Sequence, residues 1–368
     1  MKKSNLLQVS FLIACGSALQ LAESFIPFPI PGMRIGLANV STLLGIVMFG
    51  PVSGLEIAIF RPVITSLTNG TFLAPGFILS FFGSIASYGV MSGIYYATRR
   101  HKVFSLIGIS ILGAIAHNIT QIFLAYYWLI PHAGVLALAP ILVISGLVGG
   151  YFVGWACEYV MEKVREKKDA LPNIAAELKP APERKPLEAS DKAKIIAAFG
   201  FVISTIFLKT ITSYLILIAI VFFLVLISDQ KISLVFKKAF RLWGVILFSF
   251  LLPILFTPAG KIFFKLPLVT VTDIGVYQGI LFGMRVVFLI LISIWIGVTE
   301  PEKLSEELAW LLSPLKVFGI PVGRIPRIIS VSMSFLPLVW EKLKSVKPKK
   351  IKSVLDMLVA LLVGLESK

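Results

Sequence analysis

The chain has few charged residues and few residues of the types that carry covalent or metal chemistry. Of its 368 residues, 15% are charged, two are cysteines and three are histidines. Soluble domains contain about 25% charged residues, so this composition argues against a soluble globular protein. Cys15 and Cys157 lie in separate apolar runs, without the C-x2-C spacing of a metal site. We therefore expect two free thiols and no metal site.

Motifs for hydrolysis and group transfer are also absent. The sequence contains no Walker A pattern, HExxH or GxSxG. Prenyl diphosphate chemistry requires clustered carboxylates that hold Mg²⁺. The aspartates are instead isolated from one another: Asp169, Asp191, Asp229, Asp273 and Asp356. We expect no enzymatic activity and no cofactor, and any ATP hydrolysis must come from another chain.

The sequence does contain long apolar runs. Hydrophobic residues make up 57% of it and the mean hydropathy is +0.91. Runs of about 20 apolar residues are long enough to cross a membrane as helices. They lie near 6–26, 36–50, 52–69, 72–97, 103–128 and 134–161, then near 193–209, 211–228, 240–257 and 274–298. The sequence thus predicts an all-α polytopic membrane protein with six spans followed by four.

The net charge of +16 comes from Lys and Arg in short segments between the runs. This distribution is typical of cytoplasmic loops and of contacts with anionic lipid, so we expect no nucleic-acid binding. Arg99–Lys102 and the charged segment Glu162–Lys194 are predicted to be cytoplasmic, whereas Lys261 and Lys265 are exceptions that fall outside. The interpretation is a multi-pass plasma-membrane protein whose N-terminus and C-terminal region face the cytoplasm.

Polar side chains at membrane depth concentrate in the first six runs. Such residues are energetically expensive in lipid and mark cavities or pathways. The candidate substrate-binding residues are Arg34, Asn39, Glu56, Arg61, Asn69, His117, Asn118 and Gln121. Asn118 and Gln121 share a helical face, and either arginine could meet an anionic group. Hydrogen bonding between helices, with snorkelling of the long side chains, is the alternative interpretation.

The segment Ser305–Lys344 follows the last strongly apolar run and is apolar at helical spacing, with prolines and basic residues interleaved. This pattern indicates amphipathic helices that lie at a membrane surface and offer an apolar face to a partner. The charged residues of its distal part are Arg324, Arg327, Glu341, Lys342, Lys344 and Lys347. Attraction to lipid headgroups is an alternative role for the cations.

Several motifs of the second half resemble the transmembrane T component of energy-coupling factor (ECF) transporters. They include Leu312–Lys316 (LSPLK), Phe318–Val322 (FGIPV), Ser330–Glu341 and Gly283-Met-Arg285, and the resemblance covers about residues 192–345. It implies that the apolar faces hold a substrate-binding S component. It also implies that the six charged residues above dock cytoplasmic ABC-type ATPase subunits. The Ala-Arg-Gly-type motifs that contact those ATPases are missing here.

The first half resembles the Gx transporter family, whose members often carry the name heptaprenyl diphosphate synthase component I. The similarity rests on residues 31–39 (PGMRIGLAN), 50–62 and 106–118 and covers about residues 5–165. That family is similar to six-helix S components. The resemblance implies one role for the small residues Ala14, Ser17 and Ala18, namely to form a contact surface for the T component. Close helix packing is the other.

Together these observations predict an S-component-like domain at 1–165, a cytoplasmic linker at 166–191 and a T-component-like domain at 192–368, with coupling helices from about 301. The predicted function is that of a membrane subunit of an ECF-type transporter for a vitamin- or cofactor-like molecule, with a flavin as one candidate. Its partners would be ABC-type ATPases, membrane lipid, the small-molecule substrate and, in one version, a separate S component. A non-transport assembly factor for redox or isoprenoid-quinone proteins is the alternative.

Overall fold

The computed structural model describes residues 3–24, 36–101, 103–166, 187–228, 240, 242–265, 269–297, 299–318, 322–345, 355–356 and 359. These residues form helices almost throughout, which confirms the predicted all-α polytopic class. Six stretches are long and apolar enough to cross a membrane: Leu6–Glu23, Pro75–Thr98, Leu106–Leu129, Ala133–Glu166, Asp273–Ile296 and Val322–Lys344.

The first six helices, here called the first bundle, follow the predicted runs. They are α1 (Lys3–Glu23), α2 (Asn39–Phe49), α3 (Pro51–Asn69), α4 (Pro75–Thr98), α5 (Leu106–Leu124) and α6 (Ala139–Glu166), with a π-helix at Ala125–Leu129 and a 3-10 helix at Ala133–Leu138. Proline starts α3 and α4, where no N–H donor is needed. Gly70 ends α3 in the left-handed conformation, with φ of 64°. With 11 residues, α2 is about 16 Å long and too short to cross a membrane alone.

The next four helices, here called the second bundle, also follow the predicted runs. They are α7 (Ala189–Phe207), α8 (Ile211–Ile227), α9 (Trp243–Phe256) and α10 (Asp273–Ile296), with an antiparallel strand pair, β1 (Ile262–Lys265) and β2 (Thr270–Thr272), before α10. Thr272 caps α10 by accepting a hydrogen bond from the Gly275 N–H at 3.1 Å. From Val286 to Ile296, all but Val287 are buried, so α10 is the central helix of this half.

The predicted amphipathic region forms α11 (Pro301–Leu311), 3-10 turns at Ser313–Phe318 and Val322–Arg324, and α12 (Ile325–Ser345). The stretch that contains α12 is apolar enough to span a membrane, although the sequence predicts a surface position for it. Half of that stretch is buried within the protein, because α12 packs along α1 and also contacts α3. Protein contacts therefore account for much of its apolar surface.

One end of the first bundle packs against the side of the second. Gly70, after α3, accepts a hydrogen bond through its carbonyl from the Ser293 hydroxyl at 3.4 Å. Trp128, after α5, accepts one from Arg285. Helices α3 and α5 end at the same end of the bundle, because α4 returns between them. The two contacts lie eight residues apart on α10, or about 12 Å along its axis.

Candidate functional site

A buried arginine organises a polar network inside the first bundle. The Arg61 side chain is 3% exposed, and its guanidinium donates to Gln20 Oε1 at 2.8 Å, Asn39 Oδ1 at 3.0 Å and Ser84 Oγ at 2.7 Å. Gln20 in turn donates to Ser80 Oγ at 3.1 Å. These contacts tie α1, α2, α3 and α4 together around one cation, with side-chain oxygens of neutral residues as the acceptors.

Helix α5 supplies a second polar group beside this network. Gln121 Nε2 lies 3.0 Å from His117 Nε2, as the four-residue helical spacing of the two residues allows. Asn118 donates to the Leu142 carbonyl at 2.6 Å and thereby links α5 to α6. A Cβ atom at Gly83 would lie 2.9 Å from the His117 ring. Glycine at position 83 is therefore what allows α4 to approach this ring.

The two groups line one pocket, whose cavity volume is about 20 Å³. Five of the eight sequence-predicted residues line it: Asn39, Arg61, His117, Asn118 and Gln121. Gln20, Glu23 and Ser80 also line it and were not predicted. Gln20 and Glu23 are polar residues within an apolar run, which is the signal that could have identified them.

Two further predicted residues lie elsewhere. Glu56 forms an ion pair with Arg324 at 3.1 Å and does not line the pocket. Glu56 and Arg61 both lie on α3, and each contacts different partners. Asn69 is the last residue of α3 and does not line the pocket either. Arg34 lies outside the described residues and stays a prediction.

The contact between α12 and the first bundle forms a seam of three pairs. The Arg324–Glu56 ion pair is at its start, Thr68 Oγ1 lies 3.8 Å from Met333 Sδ, and the rings of Phe11 and Phe335 meet edge to face at 5.5 Å. Ala14 and Ala18 follow Phe11 at helical spacing and are fully buried. Small residues on this face of α1 allow α12 to approach closely.

The charged residues predicted to dock ATPases are not all available to a partner. Arg324 is engaged in the seam, so its charge serves a contact within the chain. Arg327, Glu341 and Lys344 are exposed, whereas Lys342 is partly buried. Lys347 lies outside the described residues. The exposed members Arg327, Glu341 and Lys344 are therefore the ones that remain accessible on α12.

The buried carboxylate of Glu307, on α11, lies close to charged residues at the start of α7. Glu307 is 0% exposed, and neither carboxylate oxygen has a hydrogen-bond partner. Burial raises the pKa of Glu307 from 4.5 to about 7, and nearby Lys194 and Lys303 only partly oppose this shift. Asp191, which also raises that pKa, forms an ion pair with Lys303 at 2.7 Å. This corner of α11 is therefore sensitive to pH.

Glu307 predicts a pH dependence of stability. The folded protein holds this proton between pH 4.5 and about 7 while the unfolded chain has lost it, so the free energy of unfolding falls as pH rises through that window. We expect Glu307→Gln to remove that fall, a difference of roughly 3 kcal/mol at pH 8. Thermal unfolding of the purified protein at pH 5, 6, 7 and 8 measures it. The exposed Glu302→Gln is the matched control, and an unchanged slope in Glu307→Gln would contradict the assignment.

Comparison with known families agrees with this two-part architecture. Residues 12–160 match the family model described as heptaprenyl diphosphate synthase component I, and residues 183–348 match the one described as cobalt transport protein. The first half of the chain is thus similar to one family and the second half to another. The matches confirm the resemblances stated for the two halves. The first match contains the polar pocket, and the second contains α7 to α12.

The curated relatives are named energy-coupling factor transporter transmembrane protein EcfT. The protein of Streptococcus equi subsp. equi is 30% identical over 151 residues, which is 41% of this chain and 56% of the relative. That of Brevibacillus brevis is 32% identical over 155 residues, or 42% and 58%. That of Bacillus subtilis is 30% identical over 152 residues, or 41% and 57%. The chain thus spans a little over half the length of these relatives.

Proposed function

We propose that this chain is a membrane subunit of an ECF-type transporter, in which the first bundle holds the substrate and the second bundle with α11 and α12 couples it to separate ATPase subunits. The similarity of the second half to EcfT proteins supports the coupling role. The single observation that carries the proposal is the seam, since it joins a domain with a polar pocket to the α12 helix of an EcfT-like domain.

The polar lining of the pocket, rather than its volume of about 20 Å³ in this structure, suits a small polar organic molecule. Among the described residues, it presents the guanidinium of Arg61 and the carboxylate of Glu23, together with the amides of Gln20, Asn39 and Gln121. Such a lining offers both hydrogen-bond donors and acceptors. A vitamin- or cofactor-like heterocycle carries complementary groups, whereas the presence of Glu23 makes the pocket less suited to a polyanion.

The orientation of the first bundle supports a tilting mechanism. Its end lies along about 12 Å of the α10 side, through Gly70 and Trp128. A bundle that presents its end to a neighbouring membrane helix is inclined relative to that helix. In the proposed cycle, ATP-driven movement of α11 and α12 changes this inclination and exposes the pocket to the opposite side of the membrane. The predicted topology, with α11 and α12 cytoplasmic, is part of this proposal.

Co-expression with the organism's own ABC-type ATPases tests the proposal. The full chain is purified in mild detergent, and its partners and bound small molecules are identified by mass spectrometry. We expect a stoichiometric ATPase complex and one recurrent polar metabolite. An Arg327→Glu/Lys344→Glu variant, changed at two exposed residues of α12, should lose the ATPases while retaining the metabolite. Recovery of the chain without any ATPase would contradict the transporter proposal and favour the assembly-factor alternative.

A further inference from the structure

A second pocket lies between the two bundles, distinct from the substrate pocket. Its cavity volume is about 280 Å³. Tyr127 and Trp128 of the first bundle form one side, and Lys209, Phe282 and Arg285 of the second form the other. Any molecule bound there would touch both bundles. On the predicted topology, Lys209 lies toward the outer face, where α7 ends and α8 begins.

Arg285 is a buried cation whose partners are all uncharged. Its side chain is 6% exposed. Nε donates to the Tyr214 hydroxyl at 2.8 Å, Nη1 donates to the carbonyls of Trp128 and Leu129, and Nη2 lies 3.5 Å from the Leu208 carbonyl. Among the described residues, no carboxylate forms an ion pair with it. An uncompensated charge in such a place is costly, and a bound anion would lower that cost.

The guanidinium retains donor capacity on the pocket side. The contact of Nη2 with Leu208 is at the long limit for a hydrogen bond, and this nitrogen carries two hydrogens. Lys209 is exposed and lines the same pocket. No acidic side chain belongs to this lining, as far as the described residues go. A guanidinium fork with a nearby ammonium group matches the oxygens of a phosphate.

The other walls of the pocket are apolar. Ile206 and Leu281 line it, together with the ring of Phe282. Tyr and Trp side chains favour the headgroup level of a bilayer, where one end of the ring is apolar and the other wet. A ligand for this pocket would therefore combine a phosphate group with an apolar part.

We propose that the Arg285–Lys209 pocket binds the phosphate group of an anionic amphiphile at the boundary between the bundles. The source of this group is a phospholipid headgroup or a soluble phosphate ester. Because the ligand contacts both bundles, its binding stabilises their docked arrangement. This inference is independent of the transported substrate, whose pocket lies within the first bundle.

Native mass spectrometry of the full chain tests this proposal. The protein is delipidated in non-ionic detergent and titrated with phosphatidylglycerol or phosphatidylcholine of the same acyl chains. We expect preferential retention of phosphatidylglycerol, reduced about fivefold in Lys209→Gln, which is the effect of removing one Lys charge near an anionic headgroup. Lys261→Gln removes the same charge from another exposed residue outside the pocket and should retain wild-type binding.

Competition with glycerol 3-phosphate separates the two sources. Displacement of phosphatidylglycerol by this soluble ester identifies recognition of the phosphate group alone, and failure to displace it identifies a lipid site. Both results support the pocket if Lys209→Gln weakens binding of the ligand and Lys261→Gln does not. Equal losses in the two variants, or no loss in either, would overturn the proposal. Since Lys209 is exposed, its substitution leaves the buried Arg285 contacts and the fold intact.

Discussion

The Arg324→Glu variant is expected to lose at least nine-tenths of the ATP-dependent uptake of the co-expressed complex. Arg324 and Glu56 are 27% and 12% exposed and 3.1 Å apart, and they join the 3-10 turn directly before α12 to α3. The second carboxylate oxygen of Glu56 is buried without a hydrogen-bond partner. Reversal of Arg324 places two carboxylates together in a partly desolvated position, at a cost of about 2–4 kcal/mol to docking.

A charge swap provides the control for this effect. The Glu56→Arg/Arg324→Glu double variant restores the opposite charges across the seam and should recover most of the uptake, so that the double-mutant cycle gives a favourable coupling energy. Arg327→Glu, one turn further along α12 and exposed, should leave the docking of the bundles unchanged, as measured by cross-linking. Additive losses in the double variant would show that the ion pair does not couple the first bundle to the α12 segment.

Replacing Arg61 is expected to have the largest effect on the first bundle. Arg61→Gln leaves Asn39, Ser84 and Gln20 without their shared donor in a buried position. Each unsatisfied buried group costs about 1–3 kcal/mol. We therefore expect a loss of roughly 3 kcal/mol in the free energy of unfolding and loss of the co-purifying ligand. Arg61→Lys keeps the charge without the fork and should be intermediate.

Thermal unfolding in detergent and quantification of the bound ligand measure these two effects. Asn69→Ala is the matched control, because Asn69 lies on the same helix and does not line the pocket. It should retain both ligand and stability within about 0.5 kcal/mol, as is usual for substitutions away from buried networks. Ligand retained at wild-type level in Arg61→Gln would exclude this pocket as the substrate site.

The helices were predictable because apolar runs of membrane-spanning length are a strong sequence signal. The pocket was predictable in part, because polar residues within apolar runs are also a sequence signal. Asn39, Arg61 and His117 are polar in apolar runs, and such residues in a helical membrane protein converge on the protein interior. Gln20 and Glu23 carry the same signal on α1 and were overlooked.

The seam was not predictable from spacing. Glu56 and Arg324 are 268 positions apart, and their pairing depends on how the two bundles dock. Local patterns placed Glu56 in the pocket and Arg324 at an ATPase, since each residue taken alone suits those roles. The amphipathic character of α12 indicated that it has a partner, but the apolar pattern does not specify which helix that partner is. Arg34 and Lys347 stay predictions from the sequence.

The central claim is that the first bundle and α12 move relative to each other during transport, and a reversible cross-link across the seam tests it most directly. Thr68 and Met333 touch across the seam, with Oγ1 and Sδ 3.8 Å apart, so the thiols of Thr68→Cys/Met333→Cys lie within reach of a short, reducible bis-methanethiosulfonate cross-linker. The native Cys15 and Cys157 are buried, and the single variants control for them. With the ATPases present, we predict that cross-linking abolishes ATP-dependent uptake and leaves ligand binding intact. Reduction of the cross-linker should restore uptake. Uptake at the wild-type rate by the fully cross-linked protein would contradict the account.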